Sequence, residues 1–391
     1  MGPAEESVNL RHSDNGSNLA ATLLESVSAG ERDVLNERTF RRMISIERKR
    51  TERSRKPFLL MLLDTGNCQD SKKNGKALDK ILSALLASTR ETDVTGWYKD
   101  QGTIGILFTE LAIDDKNSIL GTILTKVSTT LQDNLTFEQF NQISVSFHIF
   151  PDDWDDEISG RPSNPTLYPD LVSRDSARRF LNVTKRMMDI VGSAIALMIC
   201  APLFLIIALA IKASSQGPVF FRQQRVGQYG KRFTFLKFRS MHVDNDFSVH
   251  KQYVTQFIAG QAERNPSNGN RSGAYKLTND TRITRAGALL RRKSLDELPQ
   301  FLNVLKGDMS LVGPRPAIPY EVAAYQTWHR RRVLEVKPGI TGMWQVNGRN
   351  RVKFDDMVRL DLRYAKSWSP WLDIKILMRT PRAVLTGEGA Y

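Results

Sequence analysis

Between Ile190 and Ile211 the chain runs for twenty-two residues, IVGSAIALMICAPLFLIIALAI, without a charged side chain. At about 1.5 Å per residue, a helix of that length reaches across a hydrocarbon core of about 30 Å. Pro202 interrupts it, with twelve residues of the run ahead of it. Proline removes one backbone hydrogen bond and clashes with the preceding turn. Each half alone covers about half a bilayer, ~15–18 Å. Arg178, Arg179, Lys185 and Arg186 precede the run, and Lys212, Arg222, Arg225, Lys231 and Arg232 follow it. Cationic flanks on both sides resist translocation. The favoured reading is therefore a Pro-broken re-entrant helix, about 183–213, that dips into one leaflet and returns. A complete span and a buried core helix are the alternatives, and the last would need enclosure on every face.

Charge divides the 391 residues into two electrostatically different halves, −6 for residues 1–173 and +20 for residues 174–391. The basic half also owns the apolar run, so it should seek anionic partners such as lipid headgroups or phosphate-bearing substrates. No fold for base readout is recognisable in it, which argues against nucleic acid. The two cysteines, Cys68 and Cys200, are too few for a disulfide framework or a zinc cluster. The N-terminus, acidic early and without a continuous apolar core, does not read as a signal peptide, and the acidic half is expected on the cytoplasmic side.

Residues 1–33 are polar and Ser/Asn/Gly-rich and read as a mobile tail. Residues 34–150 give a helix (37–53), a strand (57–64), a helix (76–90), a strand (102–108), a helix (116–132) and a strand in which Ile143, Val145, Phe147 and Ile149 alternate. That order predicts a small α/β sandwich. Residues 151–173, rich in proline and acid, read as a linker. From 174 onward a mostly α, α+β domain is expected: a basic helix leads into the apolar run, two strands flank a Gly-containing turn within 218–241, a polar excursion covers 244–276, and helices resume at 284.

The segment LLRRKSLDELPQFLNVLKGDMSLVGPRP (289–316) carries the clearest chemistry. Asp296 and Glu297 are adjacent acids preceded by Arg291, Arg292 and Lys293 and followed by Arg315. These cations are expected to hold both carboxylates ionised at a helix N-terminus. Ser294-Leu-Asp-Glu297 fits a capping box, but Pro299 suits a helix starting later, near Leu298. Beside capping stands a chemical reading. An ionised carboxylate within a clamp of arginines can attack phosphorus to form an acyl phosphate, and a neighbouring acid can handle protons or help hold Mg²⁺. The loops LVGPRP and KPGITGMWQVNGRN could cradle a nucleotide diphosphate or merely shape surface turns.

With these motifs in order, residues 180–391 resemble the bacterial sugar transferases, or monotopic phosphoglycosyl transferases. The stretches that carry the likeness are KRMMDIVGS, the Pro-interrupted run, FRQQRVGQYGKRFTFLKFRSM, TRITRAGALLRRKSLDELPQFLNVLKGDMSLVGPRP, KPGITGMWQVNGRN and LDLRYAKSWSPWLDIKIL. The resemblance implies transfer of a hexose 1-phosphate from a UDP-hexose to undecaprenyl phosphate, with release of UMP, through a covalent Asp-phosphosugar and with Mg²⁺. It implies Asp296 as nucleophile and metal contact and Glu297 as its partner. Arg291, Arg315, Arg349, Lys237, Arg239 and the acid Asp361 would serve phosphate and substrate. Lys185 and Arg186 would lie at the membrane surface, with the break at Pro202. It further implies a monotopic protein on the cytoplasmic face of a bacterial inner membrane, in contact with lipids and compatible with a homodimer. Many members have Ser-Pro where this chain has Ala201-Pro202, and the ending TGEGAY resembles members that use glucose or galactose phosphates.

The first half more loosely resembles the GGDEF-type diguanylate cyclase fold. Lys99, Asp100, Gln101, Gly102 and Thr103 stand where the signature would lie, and the signature is absent. Asp64 ends a strand where that family has a metal-binding acid. The domain reads as a degenerate, non-cyclase unit for regulation, nucleotide sensing or dimer contacts. A membrane-anchored nucleotide-sensing adaptor without transferase activity is the competing expectation for the whole chain.

Overall fold

The computed structural model describes the whole chain except residues 1–33, 66–73, 101, 110, 112–115, 142, 152–163, 243–247, 263–264, 268–269, 275–281, 349–351 and 386–391. The tail and most of the linker read from the sequence lie outside the described residues. The chain divides into two compact units, residues 1–150 and 151–391.

In the first unit the order is α1 (Glu37–Ser54), β1 (Phe58–Asp64), α2 (Asn74–Ser88), β2 (Val94–Lys99), β3 (Thr103–Phe108), α3 (Lys116–Asn134), α4 (Phe137–Asn141) and β4 (Ser144–Phe150). The strands form one antiparallel sheet in the order β2-β3-β1-β4. β1 is FLLMLLD, apolar up to its last residue, because it lies inside the sheet between β3 and β4 and is buried on both faces. The alternation at 143–149 is realised, since Ile143, Val145, Phe147 and Ile149 pack against the cluster of Leu59, Met61, Leu63, Ile81 and Leu85. α1 docks through Phe40 into a slot made by two glycines paired across strands, Gly96 and Gly105. A Cβ on either would come within 2.6 Å and 2.2 Å of the Phe40 ring, so that close approach requires glycine at both positions.

The second unit begins its described part with a short turn and α5 (Pro169–Ala177), so the linker read from the sequence ends inside a helix. α6 (Arg179–Ser214) follows, 36 residues long with Pro202 inside it. The helical run continues through Pro202, where the sequence suggested a break. Next come the antiparallel hairpin β5 (Phe220–Val226) and β6 (Arg232–Phe238), then α7 (Ser248–Ile258) with a small hairpin, β7 (Asn265–Ser267) and β8 (Asn270–Ala274), in the polar excursion. The rest is α8 (Arg285–Arg292), α9 (Gln300–Lys306), β9 (Ser310–Val312), α10 (Pro319–Ala323), α11 (Thr327–Glu335), β10 (Gly339–Thr341), α12 (Met343–Asn347), α13 (Phe354–Ser367) and α14 (Pro370–Leu385). β9 and β10 pair in parallel. The main core joins Phe233 and Phe235 of the hairpin to Val304, Met309, Val312, Tyr364, Trp368 and Ile376.

α6 is anchored at both ends of its apolar run. Near its start, Lys185 Nζ donates to Asp373 (2.6 Å), Tyr364 Oη (3.2 Å) and the Val312 carbonyl (3.1 Å). Arg186 donates to the Val304 and Leu305 carbonyls, both at 2.6 Å, capping the orphan C-terminal groups of α9. Asp189, 4% exposed, accepts from Ser310 Oγ and the Leu311 amide. Toward its end, Ile207 and Ile211 pack with Phe238 and Leu290, and Phe204 meets Phe238 at 5.0 Å between ring centroids. Between these anchors Met198, Ile199, Leu205, Ile206 and Leu209 are exposed. Only 11% of the most apolar window of the helix is buried, unlike a core helix enclosed on every face.

Candidate active site

The acid pair sits on a turn that local geometry shapes closely. Thr284 caps α8, its hydroxyl accepting from the Gly287 amide at 2.9 Å. Gly287 itself lies so close to the Ser240 carbonyl that a Cβ there would overlap it. That contact brings α8 against the end of β6, where Arg291 Nε donates to Ser240 Oγ at 2.9 Å. The chain then leaves α8 through Ser294, a non-glycine residue in the left-handed region at φ 52°. A 3₁₀ turn, Leu295–Glu297, holds both acids, and α9 starts only at Gln300 after Pro299. The capping box is therefore not formed: Ser294 makes no side-chain cap, and the later start wins because proline fits a helix entrance.

Asp296 is buried, 6% exposed. Lys237, projecting from β6, places Nζ 2.8 Å from Glu297 Oε1 and 3.7 Å from Asp296 Oδ2. The two acids respond differently. Burial pushes the Asp296 carboxyl above its usual value; Lys237 opposes the rise and the neighbouring Glu297 adds to it. Burial also works against ionising Glu297, but Lys237, Arg315 and the Gln300 side chain outweigh it and hold that carboxyl low. The cations expected to hold both carboxylates ionised therefore act unequally: they hold Glu297 low, while burial raises Asp296 against them. A more basic aspartate is the better nucleophile of the pair, provided Lys237 keeps it charged.

Lys237 is placed by a residue that sequence reasoning missed. Asn303 of α9, fully buried, accepts from the Leu236 amide (3.0 Å) and donates to the Thr234 carbonyl (2.7 Å). It serves β6 as a substitute strand neighbour and fixes the strand one residue before Lys237. Arg315 stands on the loop of residues 313–318 with 40% of its side-chain surface exposed and pairs with buried Glu321 at 3.2 Å. The charges of Arg291 and Arg315 reach Asp296 and Glu297 respectively.

Asp296, Glu297, Lys237, Arg291 and Arg315 therefore come together, and other expected site residues do not. Arg239 is spent internally, donating to the Gln216 and Ser215 carbonyls and to Ser215 Oγ (2.7, 2.8 and 2.9 Å) at the end of α6. Asp361, 1% exposed, is paired with Arg332 at 2.8 Å and offers nothing to an external ligand. Lys185 and Arg186 point into the domain rather than toward headgroups, as their bonds to Asp373, Val304 and Leu305 show. Arg349 lies outside the described residues. Among the described residues no three His, Cys, Asp or Glu side chains converge on one point. Two adjacent carboxylates nonetheless fit Mg²⁺, which takes one or two carboxylates and completes its shell with water and substrate phosphates.

Residues 180–387 match the family described as bacterial sugar transferase, and the chain belongs to that family. Its relatives include the galactosyl transferase CpsE of Streptococcus agalactiae, 44% identical over 53% of this chain and 43% of that protein. An undecaprenyl-phosphate galactose phosphotransferase of Salmonella typhimurium is 43% identical over 56% of this chain and 44% of that one. The exopolysaccharide production protein ExoY of Rhizobium meliloti is 36% identical over 59% of this chain and 96% of its own length. The chain thus spans less than half the length of the first two. Among solved structures, a diguanylate cyclase protein from Thermotoga maritima aligns over 31% of this chain and 86% of that one, at 21% identity and a TM-score of 0.26. A score that low decides nothing about the first unit.

Proposed function

We propose that the chain transfers a hexose 1-phosphate from a UDP-hexose to undecaprenyl phosphate at the cytoplasmic face of a bacterial inner membrane, the first membrane step of exopolysaccharide, capsule or O-antigen synthesis. The observation that carries this reading is the buried Asp296 carboxylate within 3.7 Å of Lys237, with arginines on either side and an exposed apolar helix anchored to the same unit. Asp296 attacks the phosphorus that bears the sugar; the new O–P bond forms as the bond to the bridging oxygen breaks, and UMP leaves. The phosphate of the lipid then attacks the same phosphorus, the acyl phosphate breaks, Asp296 is restored as a carboxylate, and a lipid diphosphosugar is released. Lys237 keeps the Asp296 carboxylate charged before the first displacement and after the second, and Arg291 and Arg315 take the remaining phosphate oxygens. Mg²⁺, held by Asp296 with the substrate phosphates, would supply charge neutralisation at the diphosphate.

A re-entrant course for α6 is supported by where its ends attach. Unbent, the helix would hold Arg186 and Ile211 about 37 Å apart. Arg186 bonds to the end of α9, while the cluster of Ile211 is bordered by Leu295 and Leu298, just before that seven-residue helix begins. A bend at Pro202 reconciles the two attachments and keeps both on one face of the bilayer. For the first unit, we propose a GGDEF-like but non-catalytic role. The test is UMP release from UDP-glucose or UDP-galactose by the detergent-solubilised chain with undecaprenyl phosphate and Mg²⁺. Asp296→Asn should abolish it, and an unimpaired variant removes Asp296 from the nucleophile's role.

A further inference from the structure

The loop that carries Arg315 is fastened more heavily than a chain reversal requires. From Pro314 to Ile318 every backbone carbonyl accepts a hydrogen bond. Pro314 accepts from the Gly339 amide (2.8 Å), Arg315 from Arg332 Nη2 (3.4 Å), and Pro316 from Arg225 Nη1 (2.8 Å). Ala317 accepts from the Val226 amide (2.8 Å) and Ile318 from the Glu321 and Val322 amides (2.9 and 3.2 Å). Two of these donors are arginine side chains almost out of solvent, Arg225 at 6% and Arg332 at 3% exposure. Two buried acids answer them. Glu321, 3% exposed, accepts from Arg315 Nη1 through one oxygen (3.2 Å) and from the Ile318 amide through the other (2.9 Å). Asp361 pairs with Arg332, whose Nη1 also donates to Tyr325 Oη at 3.2 Å.

Burying a charged group is costly even when it is paired. Four such groups around one short loop are an expense that turning the chain does not explain. Arg225, Arg315 and Arg332 face two buried acids, Glu321 and Asp361, and the third carboxylate that feels one of these charges is Glu297 of the dyad. The one member that keeps a sizeable exposed surface is Arg315, whose charge is felt at Glu297. We propose that Glu321 and the Arg332–Asp361 pair are positioning residues: they hold the Arg315 guanidinium, side chain and backbone respectively, at a fixed place facing the dyad, ready for a phosphate of the nucleotide substrate. Asp361 thereby acts on the substrate through Arg332 and Arg315 and not by contact. This inference rests on the transferase reading for its substrate and on the geometry alone for the clamp.

If the clamp works only through Arg315, its effect vanishes once Arg315 is gone. The experiment measures UDP affinity, in the presence of Mg²⁺, by calorimetry on the full chain in detergent, with thermal unfolding of each variant alongside. Glu321→Gln keeps an acceptor for the Ile318 amide and removes the charge that holds Arg315; it should weaken UDP binding about 10- to 100-fold, the scale of a lost charge-assisted hydrogen bond. Arg315→Ala should do the same, and the double variant should bind no more weakly than Arg315→Ala alone. Tyr325→Phe, which removes one hydroxyl from Arg332 and leaves every charge in place, is the gentle second variant, with a smaller loss that again disappears in the Arg315→Ala background. Losses that multiply in the double variants, wild-type affinity in both Glu321→Gln and Tyr325→Phe, or no UDP binding by the wild type would overturn the clamp. UMP release separates the two ideas. Coupled UDP binding without release leaves the clamp and sinks the transferase reading. Release at equal kcat/KM by wild type and Glu321→Gln does the reverse.

Discussion

Asn303 offers the sharpest test of how packing makes the site. Its side chain is fully buried and joins two backbone groups of β6, the Leu236 amide at 3.0 Å and the Thr234 carbonyl at 2.7 Å. Replacing it with leucine keeps the branch point and the number of side-chain heavy atoms and removes both hydrogen-bonding groups. A buried polar group left without a partner costs about 1–3 kcal/mol, so two together cost about 2–5 kcal/mol after partial relaxation. For a unit the size of residues 151–391, 1 kcal/mol moves the midpoint by roughly 2–4 °C, and a drop of roughly 5–15 °C is expected in a thermal melt. The same substitution frees the strand next to Lys237, so UMP release should fall by more than the folded fraction accounts for. Asn303→Asp keeps the acceptor for Leu236 but sets a buried carboxylate against the Thr234 carbonyl, so at neutral pH it should be destabilised at least as much as leucine. A melt within 2 °C of wild type for Asn303→Leu, with unchanged turnover, would refute the idea that Asn303 holds β6 in place.

Lys237→Met removes the cation nearest both acids, and UMP release should drop at least about 100-fold, the low end for loss of a group aimed at developing charge; a turnover within threefold of wild type would exclude Lys237 from the chemistry. Burial raises the Asp361 carboxyl to about 6 from 3.8, with Arg332 working against the rise. The folded chain therefore holds an extra proton between those values, and Asp361 makes stability fall as pH rises from about 4 to about 6, by about 3 kcal/mol in all. Asp361→Asn should remove that slope, read as the difference between wild-type and variant denaturation curves; parallel curves would refute it.

The hairpin β5–β6 was legible because alternating residues flank a glycine turn, and the acid pair because two adjacent carboxylates in a run of arginines are conspicuous. The alternation at 143–149 fixed β4 for the same reason. β2 was missed as an element of its own, since VTGWYK has no clear period and owes its place to pairing with β3. The residues that build the site from behind, Arg225, Asn303, Glu321 and Arg332, carried no local signal. Asn303 reaches 69 residues back to Thr234 and Arg225 reaches 91 residues forward to Pro316, and only the fold brings such partners together. The internal partners of Lys185 and Arg186 were hidden for a related reason. Basic residues before an apolar run suit lipid headgroups, yet the following domain folds back and supplies them with carbonyls and a carboxylate.

The attachment of α6 has a consequence for anyone wishing to work with this chain out of lipid. In many membrane enzymes the greasy segment is a tether that can be cut away to leave a soluble catalyst. Here Asp189 lies in the interior bonded to Ser310 and Leu311, Ser193 is buried one turn on, and Ile207 and Ile211 close a hydrophobic cluster with Phe238 and Leu290. Cutting away the segment removes part of the catalyst's own interior. Solubility will have to come from repainting the outward residues, such as Met198, Ile199, Leu205, Ile206 and Leu209, while the inward ones stay as they are.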